Sequence, residues 1–331
     1  MGHLSAGPSG GAVSKQRVMK VVVRLDNRVS AFQLSAAQLS ALRERFPEHD
    51  FIRATSDEEL LRELPGAHAA LVWQFEPGWY ALAPELSFVA TPAAGREKVA
   101  RDPAGRVRSV HGSFHGKIMA ETLLGMMLFW SRRFDLALRD RRERRWERDQ
   151  FSGTRRLAGQ LAMIVGYGPL GRECARQLKG AGMRVAGIKR DHAVDPGPAD
   201  AVFPASLLPG VLRDADHVIV TLPSDTGSDH LFDDRAFAAM RKSTYFYNLG
   251  RGNAVDETAL LRALEAGTIA GAFLDVFERE PLPQDSPLWT APNLEFLPHV
   301  SAASREYLDL WLDELAPELT RLGAPEPPST P

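Results

Sequence analysis

The sequence predicts an α/β protein of two doubly wound parallel sheets, Rossmann- or flavodoxin-like, with a cleft between them. Three observations predict it. Short apolar runs rich in Val and Ile alternate with amphipathic helical stretches, which implies parallel sheets covered on both faces. The alternation comes as two series, parted by a long apolar helix and a charged stretch. The second series opens on a glycine-rich turn, "IVGYGPLG", between a strand and a helix. A chain of 331 residues has room for about two domains with separate cores.

The first series runs from "MKVVVRL" (strand, from Met19) through "SAAQLSALRERF" (helix, from Ser35) to "DFIRAT" (strand, from Asp50). "SDEELLREL" (Ser56–Leu64) is a helix, for which Ser56 and Glu59 have the spacing of a capping box. "HAALVW" and "LSFVAT" are two further strands. The aromatic stretch Trp73–Tyr80 between them serves either as core or as a pocket wall.

Between the series, Lys117–Trp130 is an apolar helix, too short to span a bilayer and interrupted by Glu121. A buried helix or a subunit interface fits it. Residues 131–150 hold eight Arg with five acids interspersed, the pattern of a solvated helix laced with ion pairs rather than a nucleic-acid surface.

The second series begins with strand "QLAMIV" (from Gln160), the glycine turn and helix "GRECARQLKGAG" (from Gly171). Strand "RVAGI" (from Arg184), helix "ASLLPGVLRDA" (Ala205–Ala215) and strand "DHVIVTL" (from Asp216) follow. Helix "DRAFAAM", strand "STYFYNL", helix "DETALLRALEAG", strand "IAGAFLDVF" and strand "LEFLPH" complete it.

Composition narrows the function classes. A formal charge of -2 provides no field to recruit nucleic acid or a membrane surface. The single cysteine, Cys174, excludes an internal disulfide and suits a reducing cytoplasm; its helical spacing makes it a small core residue. Residues 1–16 read as a flexible leader without the apolar core of a signal peptide, and 324–331 as a flexible tail. No metal site is expected.

In the turn, Gly166 allows the tight bend, Gly168 lets backbone approach a pyrophosphate, and Gly171 lets the helix pack on the strand. The helix N-terminus adds unpaired N–H groups and the positive end of its dipole. Three chemically complementary residues then follow strand ends: Arg251, Glu280 and His299. A His donates a proton to a carbonyl at neutral pH, a carboxylate fixes its tautomer, and a guanidinium holds a substrate carboxylate.

With "GYGPLGRECARQLKGAGMRV", "NLGRGNAVDETALLRALEAGTIAGAFLDVFEREPLP" and "LPHVSAAS", the chain resembles the D-isomer-specific 2-hydroxyacid dehydrogenases from about Val18 to Leu322. The intervals of 29 residues from Arg251 to Glu280 and 19 to His299 fit that family's Arg–Glu–His order. Glu280, directly before Pro281, matches the catalytic acid, and Glu278 does not. The resemblance implies a discontinuous substrate domain (17–111 plus 300–323), a coenzyme domain (112–299) and a homodimer through Lys117–Trp130. The reaction implied is NAD(P)H-dependent reduction of a small 2-oxo acid, of glyoxylate/hydroxypyruvate type. His299 would donate the proton, Glu280 support it, and Arg251 bind the carboxylate and carbonyl. Ala94, Gly95 and Arg96 fall on the family's substrate-carboxylate loop. The loop departs from the family at Arg96-Glu97, where Arg96 and Lys98 serve either a second anionic group or solvent. Coenzyme contacts are implied for Gly166, Tyr167, Gly168, Pro169, Leu170, Gly171, Lys189, Arg190, Leu222, Pro223, Leu249, Gly250, Asp275 and His299, with Asp275 on the nicotinamide carboxamide.

NAD-preferring members place Asp 18 residues after the last turn glycine; here that residue is Lys189, followed by Arg190. Two cations attract a 2′-phosphate, each contact contributing about 1.5–3 kcal/mol, so NADP(H) is expected over NAD(H) by tenfold or more. Formate dehydrogenase chemistry is disfavoured, since Gln would replace Glu280. A phosphoglycerate dehydrogenase and a dinucleotide-binding sensor or corepressor without turnover are the alternatives, the first disfavoured for want of a regulatory domain after Leu322, the second by the intact Arg–Glu–His set.

Overall fold

A computed structural model describes residues 18–322 apart from 192 and 225; the tails expected at 1–16 and 324–331 lie outside the described residues. The chain divides into two compact units, one of residues up to Gly112 together with those from Leu308 onward, the other Ser113–Tyr307.

In the first unit, β1 (Met19–Arg24), β2 (His49–Arg53), β3 (Ala69–Val72), β4 (Phe88–Thr91) and β5 (Arg108–His111) form a parallel sheet ordered β2-β1-β3-β4-β5. β3 and β4 are buried at every position, as strands covered on both faces must be. β5 is a strand the sequence does not announce. Arg-Ser-Val-His has no apolar run, and it pairs with β4 alone as an edge strand.

Helix α1 (Ala36–Arg45) starts from a complete capping box between Ser35 and Gln38. At α2 (Asp57–Glu63) the box expected of Ser56 and Glu59 forms only by half. Ser56 Oγ accepts from the Glu59 amide at 3.1 Å, but the Glu59 carboxylate turns to the Thr55 amide at 2.7 Å. The C-terminal helix Tyr307–Leu322 fastens to this unit through Gln38 to Asp309 at 2.7 Å and Arg45 to Asp313 at 2.8 Å. Buried His49 donates Nε2–H at 2.8 Å to the Leu319 carbonyl, one of the last four of the helix and so without an intrahelical partner. The rings of Phe75 and Tyr80 pack at a tilt, centroids 4.7 Å apart, within the apolar core, so these rings of the aromatic stretch are core rather than pocket wall.

The second unit holds seven parallel strands: β6 (Leu161–Val165), β7 (Arg184–Lys189), β8 (Ala201–Pro204), β9 (His217–Val220), β10 (Tyr245–Asn248), β11 (Gly271–Leu274) and β12 (Leu294–Phe296). Their order is β12-β11-β10-β9-β6-β7-β8, which reverses between β6 and β9. A doubly wound sheet takes its ligand at such a switch point, outside the carboxyl ends of the strands. β8, like β5, is an edge strand without a strong sequence signal, half-buried throughout.

The helices of this unit are α3 (Gly116–Ser131), α4 (Phe134–Glu143), α5 (Pro169–Gly180), α6 (Leu208–Val211), α7 (Asp234–Ala238) and α8 (Glu257–Glu265). The single helix expected over Ala205–Ala215 is instead α6 flanked by 3₁₀ turns. Pro209 and Gly210 in its middle account for the break. α3 buries Met119, Leu123, Met127 and Trp130, yet exposes Lys117, Glu121, Gly125 and Leu128, so the apolar segment is not covered all round. The charged stretch is laced as expected, with Arg133 on Asp135 at 2.9 Å and Arg145 on Asp140 at 3.0 Å and Glu143 at 2.7 Å. Cys174 is buried, and burial pushes its thiol up to about 12. Among the described residues no helix is long and apolar enough to cross a membrane.

Candidate active site and coenzyme cradle

β6 ends at Val165 and the chain turns at Gly166 with φ of 101°. A side chain there would be strained by that backbone and would bring its Cβ within 2.8 Å of the Thr221 carbonyl carbon. The close approach is real: Thr221 Oγ donates to Gly166 O at 2.7 Å, pulling the ends of β6 and β9 together. Gly168 caps α5 and Pro169 opens it, where a missing N–H costs nothing. The first bond from the turn into the helix is Arg172 N–H to Gly168 O at 2.9 Å, and the amides of Leu170 and Gly171 precede it. They are unpaired helix-start donors suited to an anion.

The turn's other residue behaves differently. Tyr167 is fully buried, and its side chain runs into the core of the unit rather than outward. Lys189 is the last residue of β7, paired in register with Pro204 of β8, and Arg190 follows it, exposed. Thr221-Leu222-Pro223 follow β9, and Leu249-Gly250 follow β10. Buried Asn248 shapes the latter loop: its Oδ1 accepts from Gly250 N–H and its Nδ2 donates to Arg251 O, each at 3.0 Å. Sequence reasoning passed over Asn248, for which only its place at a strand end was a signal.

His299, Glu280 and Arg251 meet outside the carboxyl ends of β10, β11 and β12. His299 Nδ1 lies 2.8 Å from Glu280 Oε2. A carboxylate only accepts, so Nδ1 carries the hydrogen and Nε2 is left to exchange a proton. The other carboxylate oxygen, Oε1, accepts from Phe277 N–H at 3.1 Å, so Glu280 is held at both oxygens. Glu278 is elsewhere engaged, with His230 at 3.2 Å and the Glu257 amide at 3.0 Å. Arg251 Nη1 donates to Gly250 O at 3.0 Å, and its charge reaches both Glu280 and His299.

The electrostatics follow the geometry. The hydrogen bond to Glu280 raises the pKa of His299, against the desolvation of its ring and the charge of Arg251. Burial alone would raise Glu280, but the bonds from His299 and Phe277 and the nearby cations bring it below the ordinary value. Burial raises Asp275.

Asp275 is buried, and its carboxylate gathers the segment after His299: Oδ1 accepts from Val300 N–H and Ser301 N–H, each at 2.9 Å, and Oδ2 from Ser301 Oγ–H. Its carbonyl accepts from His299 N–H at 2.9 Å. His299 itself has φ of 56°, a left-handed backbone that Asp275 thus braces on both sides. A second residue without any sequence signal is His115, at the start of α3. Burial, aided by the Arg251 charge, pushes it down to about 4, and Tyr307 Oη lies 2.9 Å from its Nε2.

Ala94, Gly95 and Arg96 belong to the first unit, after β4. Gly95 precedes a short 3₁₀ turn and its carbonyl lies 3.2 Å from His111 Nδ1. Ala94 and Arg96 are exposed.

Three comparisons bear on the chain. The profile of the NAD binding domain of D-isomer specific 2-hydroxyacid dehydrogenases matches residues 124–301. Glyoxylate/hydroxypyruvate reductase B of Klebsiella pneumoniae is 44% identical over 147 residues, 43% of this chain and 44% of that protein, so the match spans under half the length of this curated relative. A D-isomer specific 2-hydroxyacid dehydrogenase from Xanthobacter autotrophicus, solved with NADPH and MES, superposes with a TM-score of 0.77 at 28% identity, covering 94% of this chain and 96% of that one. An NADPH-dependent glyoxylate/hydroxypyruvate reductase from Sinorhizobium meliloti, solved with NADP and sulfate, gives 0.75 at 27% identity, over 93% and 96%.

Proposed function

The chain belongs to the D-isomer specific 2-hydroxyacid dehydrogenase family, and from that premise we propose that it is an NADPH-preferring reductase of a small 2-oxo acid, of glyoxylate or hydroxypyruvate type. The observation that carries this is the His299–Glu280 pair at 2.8 Å, standing with Arg251 at the strand ends of a unit that also holds the glycine turn.

The residues present fit a phosphorylated dinucleotide. The Leu170 and Gly171 amides suit a pyrophosphate. Lys189 and Arg190 suit a 2′-phosphate, and neither offers the acceptor that a ribose hydroxyl would want. When bound, the coenzyme supplies the hydride. The chain's own residues do the rest. His299 Nε2 delivers a proton to the carbonyl oxygen as charge builds there, and Glu280 holds the ring in the tautomer that makes this possible. Arg251 offers its guanidinium to the substrate carboxylate. Leu222-Pro223 and Leu249-Gly250 form the strand-end walls of the cradle. Asp275 retains one lone pair on Oδ2 for a carboxamide N–H while it braces His299. In the first unit, the loop of Ala94, Gly95 and Arg96 is assigned the substrate carboxylate.

A homodimer through Lys117–Trp130 is part of the same reading, supported by Leu128, 38% exposed beside Gly125 on the open face of α3. Light scattering on Leu128→Glu would show monomers if that face pairs, and an unchanged mass would refute it. A cytoplasmic location belongs to the same reading, from a sequence with a single cysteine.

The test follows NADPH and NADH oxidation by absorbance across a panel of 2-oxo acids. Turnover with the shorter substrates, faster with NADPH, is expected, and His299→Ala should lower it about 10²–10⁴-fold. Undiminished activity in that variant would overturn the role of His299. Tight coenzyme binding without turnover on any acid would point to a sensor instead.

A further inference from the structure

We propose, resting on the reading of His299 as the proton donor, that Glu257 and Glu278 are positioning residues of this site. A reciprocal tie between them fixes the backbone from which the Glu280 carboxylate hangs, and with it the placement of His299 relative to Arg251.

The tie joins two residues 21 positions apart. The Glu278 amide donates to Glu257 Oε1 at 2.7 Å, and the Glu257 amide donates to Glu278 Oε1 at 3.0 Å. Glu257 is the first residue of α8, so its N–H is one of the helix-start donors that lack an intrahelical acceptor. The Glu278 carboxylate satisfies it and meets the positive end of the helix dipole. The same Oε1 lies 3.2 Å from His230 Nε2. Burial raises the Glu257 pKa, the bond from the Glu278 amide lowers it, and the charges of Glu278 and Glu280 raise it again. Three carboxylates thus stand together at a cost, which the charge-assisted amide bonds offset.

What the tie holds is one peptide unit, that of Phe277 and Glu278. Glu257 takes its N–H. Gly252 lies against it, since a Cβ added there would overlap the Phe277 carbonyl. Gly252 directly follows Arg251, so the loop that carries the guanidinium is pressed onto the same peptide. One residue back, Phe277 N–H donates to Glu280 Oε1 at 3.1 Å, and Glu280 Oε2 holds His299 Nδ1 at 2.8 Å. A continuous chain of contacts therefore runs from Glu257 through this backbone to the His299 ring, with Arg251 anchored at the same point. Proton delivery needs the imidazole aimed at a carbonyl whose neighbouring carboxylate Arg251 holds, so the relative placement of the two decides the rate. Glu257 acts on that placement through the Glu278 amide.

The test compares Glu257→Ala, Glu257→Gln and Glu278→Ala with wild type in the full-length protein. Asp256→Ala stands beside them, because it loosens the same helix start without removing the acceptor of the Glu278 amide. Glyoxylate reduction by NADPH gives kcat, KM and the pH profile, and hydrogen–deuterium exchange follows the Glu278 amide. Glu257→Ala should speed that exchange and lower kcat about tenfold, as one charge-assisted bond is lost, with KM for NADPH within about twofold of wild type. The alkaline limb of kcat/KM should move to lower pH, as a slack Glu280 supports the imidazolium less. Glu257→Gln keeps an acceptor and should restore both the exchange and the limb. Glu278→Ala breaks only the other half and should move the limb the same way by less. A limb at its wild-type position in Glu257→Ala, or in Glu278→Ala where the first does not fold, overturns the tie and leaves the reductase reading intact. So does an equal shift in Asp256→Ala, which would mark a general loosening of α8, and so does a glutamine variant no better than the alanine one. Wild-type protein that turns over no 2-oxo acid overturns the reductase reading and the positioning role with it, whatever the exchange shows.

Discussion

His299 is held by its neighbours at three levels: its ring by Glu280, its backbone by the Asp275 carbonyl, and the residues after it by the Asp275 carboxylate. The sign of the first effect sets a pH dependence. The Glu280 bond favours the imidazolium, so the proton stays on His299 to higher pH than on a free histidine. In Glu280→Gln the partner charge is gone, and the alkaline limb of reductive kcat/KM should move to lower pH. A limb that does not move would show that Glu280 does not tune His299. Asp275→Asn replaces an acceptor of the Ser301 hydroxyl and of two amides in a buried place. A loss of about 1–3 kcal/mol in denaturant unfolding is expected, with kcat reduced as the left-handed turn at His299 relaxes. Of these residues His299, Glu280 and Arg251 are legible in the sequence from their order after strands, and Asp275 only through the family resemblance. Asn248 and His115 are not, because a buried polar residue leaves no periodic trace.

At the scale of elements, the βα turn is the most constrained. Gly166→Ala would add a Cβ at φ of 101° against the Thr221 backbone. The ends of β6 and β9 would have to part, and coenzyme titration should show binding lost together with stability. Unaltered binding would mean the turn is looser than described. α8 offers a milder case, since Asp256 caps it by accepting from the Ala259 amide at 3.0 Å. Asp256→Ala should cost about 1 kcal/mol by thermal melting, without change in KM. Helices and inner strands declare themselves by period, burial and caps. β5 and β8 do not, because an edge strand is created by a neighbour's free hydrogen-bonding edge rather than by its own side chains. The Ala205–Ala215 stretch misleads in the other direction, its apolar spacing outvoted by Pro209 and Gly210.

For the whole molecule, two buried histidines set the acid limit. His217 lies between Tyr247 Oη at 3.1 Å and Gln160 Oε1 at 3.0 Å, and burial pushes it down to about 4, as it does His115. Between about 4 and the ordinary histidine value, the unfolded chain binds these protons and the folded chain does not. Stability from this source is therefore present above that window and lost as pH falls through it, up to roughly 3 kcal/mol for each group. Calorimetry from neutral pH down to 4 should show falling melting temperatures, less steeply in His217→Gln. A flat profile would contradict the neutral burial of these rings. Two compact units in one chain also predict more than one transition, with added NADPH raising the one that belongs to the glycine-turn unit.

The amino-acid order alone determined the two α/β series, the glycine turn and the spacing of Arg251, Glu280 and His299. Each of these is written in short-range signals: the alternation of apolar and polar residues, a local bend, a residue placed just past a strand. Tertiary structure decided what depends on approach between distant segments. It placed Tyr167 across Gly187 and out to Pro196, set the Asp275 carboxylate under the residues after His299, and paired β5 and β8 at the sheet edges. Such contacts join segments whose meeting no local period records, because backbone hydrogen bonds and close packing are satisfied only once the strands have assembled.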